Sequence, residues 1–166
     1  MLLIFIKFKK IVIMLSFYSL LHVIAVVIWV GGMFFAYNFL RPAAATTLEP
    51  PARLTLWSSV FSKFFPYVWA SVVLLPLTGY LMIFILWDSI ANAPLYVHIM
   101  NGIGILMILI YMHVFFAPYK RLKSAVLEQR WPDGGKALAQ IRILVGINTM
   151  LGIIVVIVAS GGRFFA

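Results

Sequence analysis

The sequence predicts an all-α membrane protein with four transmembrane helices packed as an antiparallel bundle. Hydrophobic residues make up 64% of the 166 residues and charged residues only 10%, whereas soluble domains have about 45–50% and about 25%. Four stretches carry no Asp, Glu, Lys or Arg, and each has the roughly 20 apolar residues that cross a bilayer once. Because backbone groups in lipid must bond within their own segment, these stretches are expected to be helices.

The first predicted helix covers residues 14–40 and follows a segment, residues 1–13, that allows two interpretations. Its three lysines come after its apolar residues, which is the reverse of the order in a signal peptide. The segment is either an interfacial extension or an over-long start, with Met14 in place of Met1 as the first residue. We expect a single transmembrane domain over residues 14–166.

The other three predicted helices follow from the same absence of charge. Two prolines lie inside the second helix, and membrane helices tolerate them. The segment from Trp131 to Gly135 contains Pro, Asp and two Gly, which is typical of a turn. The expected helices are residues 58–87, 94–119 and 138–162.

The distribution of basic residues predicts the orientation. Nine Lys and Arg residues lie in the first and third connections, residues 41–63 and 120–142, and four lie on the other side. Since cytoplasmic loops carry an excess of Lys and Arg, these two connections are expected in the cytoplasm and both termini in the periplasm. The expected location is a bacterial-type inner membrane.

Composition also excludes several classes of protein. The net charge is +9, but the basic residues lie between apolar runs, where they contact lipid headgroups, so the expected partner is the bilayer and not nucleic acid. The chain has no cysteine, which excludes disulfides, thiolate metal sites and iron–sulfur clusters. No acidic residue lies inside a predicted helix, which argues against a carboxylate proton relay.

Three histidines are the candidates for chemistry, because ionisable groups inside a membrane are costly. His22 lies near the start of the first helix and His98 near the start of the third. We expect them at similar depth near the periplasmic side, on antiparallel helices that face one another. Two neutral imidazoles suit the axial positions of a haem b held between helices. His113 lies at the opposite end of the third helix and is a weaker candidate.

Small and aromatic residues beside these histidines fit a flat apolar ligand. Trp29 and Gly32 follow His22 at helical spacing, and Gly102 follows His98 by about one turn. The leading interpretation is a haem b electron-transfer protein that exchanges electrons with a quinone-type or periplasmic redox partner.

Copper is the alternative metal that the same histidines could bind. Imidazole and thioether groups together suit Cu(I), and Met33, Met100 or Asn101 could complete such a site. Met100 is a weaker candidate because it points away from His98 on a regular helix. A third interpretation is a structural subunit of a larger membrane complex, or a homo-oligomer, with the histidines only hydrogen-bonded between helices.

Six short motifs, spread over most of the chain after Met14, occur together. They are Leu21-His22-Val23-Ile24-Ala25, Trp29-Val30-Gly31-Gly32-Met33-Phe34, Leu40-Arg41-Pro42-Ala43, Leu77-Thr78-Gly79-Tyr80, Tyr111-Met112-His113 and Ala159-Ser160-Gly161-Gly162-Arg163. As an ensemble they resemble CopD-type membrane proteins. The resemblance implies a four-helix inner-membrane domain and a role in copper resistance or copper movement.

A second resemblance involves the two histidine segments. Leu21-His22 with Trp29 and Gly32, and Tyr96-Val97-His98 at the opening of the third helix, are similar to HemJ-type protoporphyrinogen oxidases. That resemblance implies a four-helix protein that binds haem b. Those oxidases carry a lysine two residues after the matching second histidine, where this chain has Met100, so their reaction is not implied.

Overall fold

A computed structural model describes residues 2–164, and these residues form helices and no strands. Met1, one of the two candidate first residues, lies outside the described part. The helices are α1 (Leu2–Val26), α2 (Gly32–Phe35), α3 (Arg41–Thr47), α4 (Pro50–Trp87), α5 (Leu95–Phe116), α6 (Pro118–Leu127) and α7 (Trp131–Gly161).

These helices form four apolar spans. Two π-helical turns, Val27–Gly31 and Ala36–Leu40, join α1, α2 and α3 into one continuous first span. Each of the four spans is long and apolar enough to cross a membrane, which confirms the predicted fold class. The spans are Phe5–Thr47, Pro50–Trp87, Leu95–Leu127 and Trp131–Gly161.

The helices are longer than the charge-free stretches that predicted them. At 1.5 Å per residue the first span is about 65 Å long, whereas the hydrocarbon core of a bilayer is about 30 Å thick. Charged residues mark where the chain leaves the hydrocarbon, but they do not stop a helix. In α6, for example, Lys120 and Lys123 are exposed while Leu122 and Ala125 are fully buried, so the helix continues as an amphipathic segment.

The turn expected between Trp131 and Gly135 is wrong, because α7 begins at Trp131. Pro132 lies in the first turn, where its missing N–H is not needed, and the Asp133 carboxylate favours a helix N-terminus. Gly134 is buried, and a Cβ atom there would lie 3.2 Å from Leu54. The reversal of the chain occurs just before, where Gln129 has a φ of 55°.

The first and third spans, which carry His22 and His98, are not the antiparallel partners that the sequence analysis expected. The first span packs mainly along α4, and α5 and α6 pack mainly along α7. In an antiparallel bundle the first and third spans run in the same direction, so the expectation that they are antiparallel partners is wrong.

The core between the spans is rich in aromatic rings, and the Tyr111 hydroxyl donates a hydrogen bond to the Phe65 carbonyl at 3.2 Å.

Candidate functional site

The imidazole of His22 makes a specific contact with the second span. Its Nδ1 atom lies 2.8 Å from Oγ1 of Thr78, a residue that is 2% exposed. The neighbouring residue is Gly79, and a Cβ atom there would lie 3.5 Å from Cε1 of His22. The α4 helix therefore contacts the Nδ1–Cε1 edge of the ring both by a hydrogen bond and by close backbone packing.

The hydrogen bonds of Thr78 favour the tautomer of His22 in which Nδ1 carries the proton. The Thr78 hydroxyl donates to the Leu74 carbonyl at 2.6 Å, so its single hydrogen is already used. The hydroxyl oxygen then accepts a hydrogen bond from Nδ1–H of His22. In this tautomer Nε2 keeps its lone pair, as in a histidine that binds a metal through one nitrogen and is oriented through the other.

His98 has a different environment. It is exposed on the surface of α5, whereas the preceding residue, Val97, is buried against Ile83 and Ala93. Among the described residues no hydrogen bond joins His22 to His98, and the two helices that carry them pack mainly on different partners. The structure therefore does not bring the two candidate ligands together.

The predicted pocket residues are also divided between separate places. Trp29 is 2% exposed, and its ring meets that of Tyr111 edge-on at 6.0 Å. Gly32 lies under the ring of Phe64, where a Cβ atom would overlap Cζ, so it serves close helix packing. Gly102 is exposed and has open space around the position of a Cβ atom.

The weaker candidates lie at the two ends of α5. His113 is exposed, and its Nε2 atom lies 3.4 Å from Nε2 of Gln140 on α7. Met100 is partly buried against the small apolar cluster around Val97. Asn101 accepts a hydrogen bond from the Tyr80 hydroxyl at 3.0 Å.

A second buried polar group lies deeper in the bundle, at Asn148 of α7. Its Nδ2 atom donates to the Met107 carbonyl at 3.3 Å and lies 3.8 Å from the sulfur of Met33. Within the part of the chain that the structure describes, its Oδ1 atom is buried and has no hydrogen-bond partner. Asn148 was not among the candidate residues, because its neighbours on other helices cannot be identified from the chain alone.

The cavity beside the predicted pocket residue Trp29 is too small for a macrocycle. A cavity of about 40 Å³ lies beside Trp29 and Met33, which suits an object of the size of a water molecule and not haem. The described residues also contain no cluster of three or more His, Cys, Asp or Glu side chains that could hold a metal ion.

Residues 58–161 match the family described as Copper resistance protein D, CopD. The chain belongs to the CopD family. The match covers more than half of the chain and includes Thr78, Met107 and Asn148, whereas the first span with His22 lies outside it. The resemblance to HemJ-type oxidases is not supported by this match. No curated protein and no solved structure matches the chain significantly.

Membership of the CopD family and the four apolar spans identify a multi-pass inner-membrane protein in a lipid bilayer. The family description also connects the chain with copper. Neither the family match nor the positions of His22 and His98 support haem. Copper, the alternative metal considered for these histidines, agrees better than haem with the CopD description.

Proposed function

We propose that this CopD-family protein handles copper within the membrane, and that His22 is its ligand for Cu(I). The observation that carries the proposal is the Nδ1 contact with Thr78. In the tautomer with the proton on Nδ1, Nε2 of His22 has its lone pair available to a metal ion. Cu(I) accepts imidazole and thioether ligands readily. The protein would take up copper as its cargo, to move it or to withhold it.

The electrostatics of the spans favour a soft monovalent ion as the cargo. The chain has only four acidic residues, and all of them lie at helix ends or in connections. Hard divalent cations such as Mg²⁺ and Ca²⁺ need several oxygen ligands, usually carboxylates. An uncharged imidazole in an apolar span instead suits an ion with low charge and a preference for nitrogen and sulfur.

The same proposal assigns the sides of the membrane. The connections with most Lys and Arg would lie in the cytoplasm, and both termini would lie in the periplasm. His22 would then be close to the periplasmic side, where copper enters the membrane or leaves it.

The test is an anaerobic titration of the purified protein with Cu(I) against a coloured Cu(I) chelator, followed by Cu(I) uptake into proteoliposomes. His22→Gln should lose binding and uptake, while the exposed-site control His98→Gln should keep both. Wild-type protein that competes for no Cu(I), or His22→Gln protein that behaves like wild type, would contradict the proposal.

The visible spectrum of the same sample tests the two remaining interpretations. A sharp reduced α-band that disappears in both His22→Ala and His98→Ala would replace copper by a bis-histidine haem b. Absence of both haem and copper, together with stoichiometric co-purification of other subunits, would replace the copper function by a structural role in a larger complex.

A further inference from the structure

A row of polar side chains from three helices lies where α5, α6 and α7 meet. The Arg121 guanidinium of α6 donates a hydrogen bond from Nη2 to Oε1 of Gln140 on α7 at 2.9 Å. The other end of that amide, Nε2, lies 3.4 Å from Nε2 of His113 on α5. Arg121 and His113 are exposed and Gln140 is partly exposed, so a ligand outside the bundle can reach all three. We call these three residues the junction cluster.

The unused polar groups of the junction cluster are mainly hydrogen-bond donors. A guanidinium can only donate, so the oxygen of the Gln140 amide faces Arg121 and its amino group faces His113. That contact favours the tautomer of His113 in which Nδ1 carries the proton. Arg121 uses one of its five N–H groups on Gln140, and among the described residues no carboxylate pairs with it. A positive charge with several free N–H groups suits an anion.

The acidic residues at this end of the bundle do not neutralise the cluster. Glu128 and Asp133 both pair with Arg130, at 2.8 and 2.6 Å. Lys120 and Lys123 are exposed on the same helix as Arg121 and add to its positive charge. This end of the bundle therefore attracts negatively charged groups at the membrane surface.

The junction cluster lies at the level where the spans leave the hydrocarbon. α5 contains no Asp, Glu, Lys or Arg, and Lys120 is the first charged residue after it. On α7 the charged residues end at Arg142, two residues after Gln140, or about 3 Å along the axis. Residues at such a boundary meet the lipid headgroups, so the nearest anions are the phosphate groups of lipids.

An apolar surface adjoins the cluster on α5. Leu109 precedes His113 by four residues and Phe116 follows it by three, so they share its side of the helix, and they are 57% and 50% exposed. The ammonium group of Lys120 lies 5.3 Å from the centre of the Phe116 ring, so positive charge and apolar surface are adjacent. We propose that the junction cluster binds the phosphate group of an anionic phospholipid, with the acyl chains along α5.

The test is native mass spectrometry of the full-length protein in detergent, titrated with phosphatidylglycerol or with phosphatidylcholine that has the same acyl chains. Wild-type protein should bind phosphatidylglycerol more tightly, because the choline group cancels the charge of the phosphate. Arg121→Gln should weaken phosphatidylglycerol binding by about 10- to 100-fold, the effect of losing a charge-assisted hydrogen bond. Lys123→Gln is the matched control, since it removes the same charge from an exposed position of the same helix. Its affinity should fall by less than about fivefold, the effect of one basic residue near the surface.

Gln140→Glu is a second variant, because it keeps the acceptor for Arg121 and the size of the side chain but places a negative charge in the cluster. It should lose the preference for phosphatidylglycerol while its melting curve stays close to that of the wild type. Equal wild-type affinity for the two lipids, or equal losses in Arg121→Gln and Lys123→Gln, overturns the proposal, since diffuse positive charge then explains the binding. Displacement of phosphatidylglycerol by an equal concentration of inorganic phosphate also overturns it and assigns the cluster to a soluble anion.

Discussion

His22 and Thr78 join the first and second spans through a hydrogen bond of 2.8 Å between Nδ1 and Oγ1. Thr78 also donates to the carbonyl one turn earlier, so the pair forms a short chain from imidazole to backbone. This relationship orients the ring and favours the tautomer in which Nδ1 carries the proton. A substitution at Thr78 should therefore change the orientation and tautomer of the His22 ring while leaving residue 22 itself as histidine.

Thr78→Val should weaken Cu(I) binding by about 10- to 100-fold, the usual effect of losing the group that orients a metal-binding histidine. Valine has nearly the same shape as threonine but cannot accept the Nδ1 hydrogen bond, so the ring becomes free to rotate and to change tautomer. Competition titration with a Cu(I) chelator measures the affinity, and a melting curve in the same detergent reports stability.

Thr149→Val is the matched control for this change. Thr149 is buried and donates to the carbonyl four residues earlier at 2.7 Å, as Thr78 does, but its hydroxyl contacts no histidine. Its copper affinity should equal that of the wild type. Equal losses of affinity in the two variants would mean that the effect comes from the helix and not from His22.

Gly32→Ala should destabilise the protein by about 1–3 kcal/mol through overpacking. The new methyl group would overlap Cζ of Phe64, so the ring must move away from the first span. Gly31→Ala is the control, because nothing lies within 4 Å of the added Cβ atom there. Thermal unfolding of both variants in detergent measures the difference.

A second substitution identifies the cause of that loss. Phe64→Leu removes the atoms that the new methyl group meets, so the double variant with Gly32→Ala should lose less stability than the two single changes together. Strict additivity would indicate that Gly32 is needed for another reason, such as the π-helical turn that ends immediately before it.

The sequence was sufficient for the number and type of spans, because apolar length is a local property of the chain. It could not define where each helix ends, since amphipathic segments such as α6 remain helical outside the hydrocarbon. The same limit explains the error at Trp131–Gly135, where Pro and Gly are compatible with the first turn of α7 as well as with a loop.

The candidate site was less predictable, because it depends on which helices are neighbours and how each is rotated. His22 was identified from its position inside a span, but its partner Thr78 is 56 residues away in the sequence. Matched depth suggested His98 as that partner, and depth alone does not place two helices in contact. Asn148 gave no signal beyond being a polar residue in an apolar helix.

The connection after α6 provides a prediction about pH. Hydrogen bonds from Arg130 and then from Ser124 stabilise the charged form of Glu128, which lowers the pKa of this carboxyl below its usual value. A lowered pKa in the folded state means that the contact is present above the ordinary pKa and is lost as the pH falls through the lowered value. Arg130→Ala should therefore raise the pKa of Glu128 towards its usual value.

Carbon-13 NMR of the glutamate carboxyl groups can measure this shift. The chain has only one other glutamate, Glu49, which lies in a different connection and does not contact Arg130. A Glu128 curve that stays unchanged in the Arg130→Ala variant would show that Arg130 does not hold the carboxylate in solution.

The orientation of the spans can be tested directly, because the chain has no cysteine and each introduced thiol is therefore unique. Ala91→Cys, in the exposed connection between α4 and α5, should react with a membrane-impermeant maleimide in intact spheroplasts. Leu127→Cys, at the 75% exposed end of α6, should react only after permeabilisation. Neither change alters a charge, so the basic residues that are expected to orient the chain remain in place. The opposite labelling pattern would place the nine basic residues outside the cell, and it would move His22 to the cytoplasmic side of the proposed copper path.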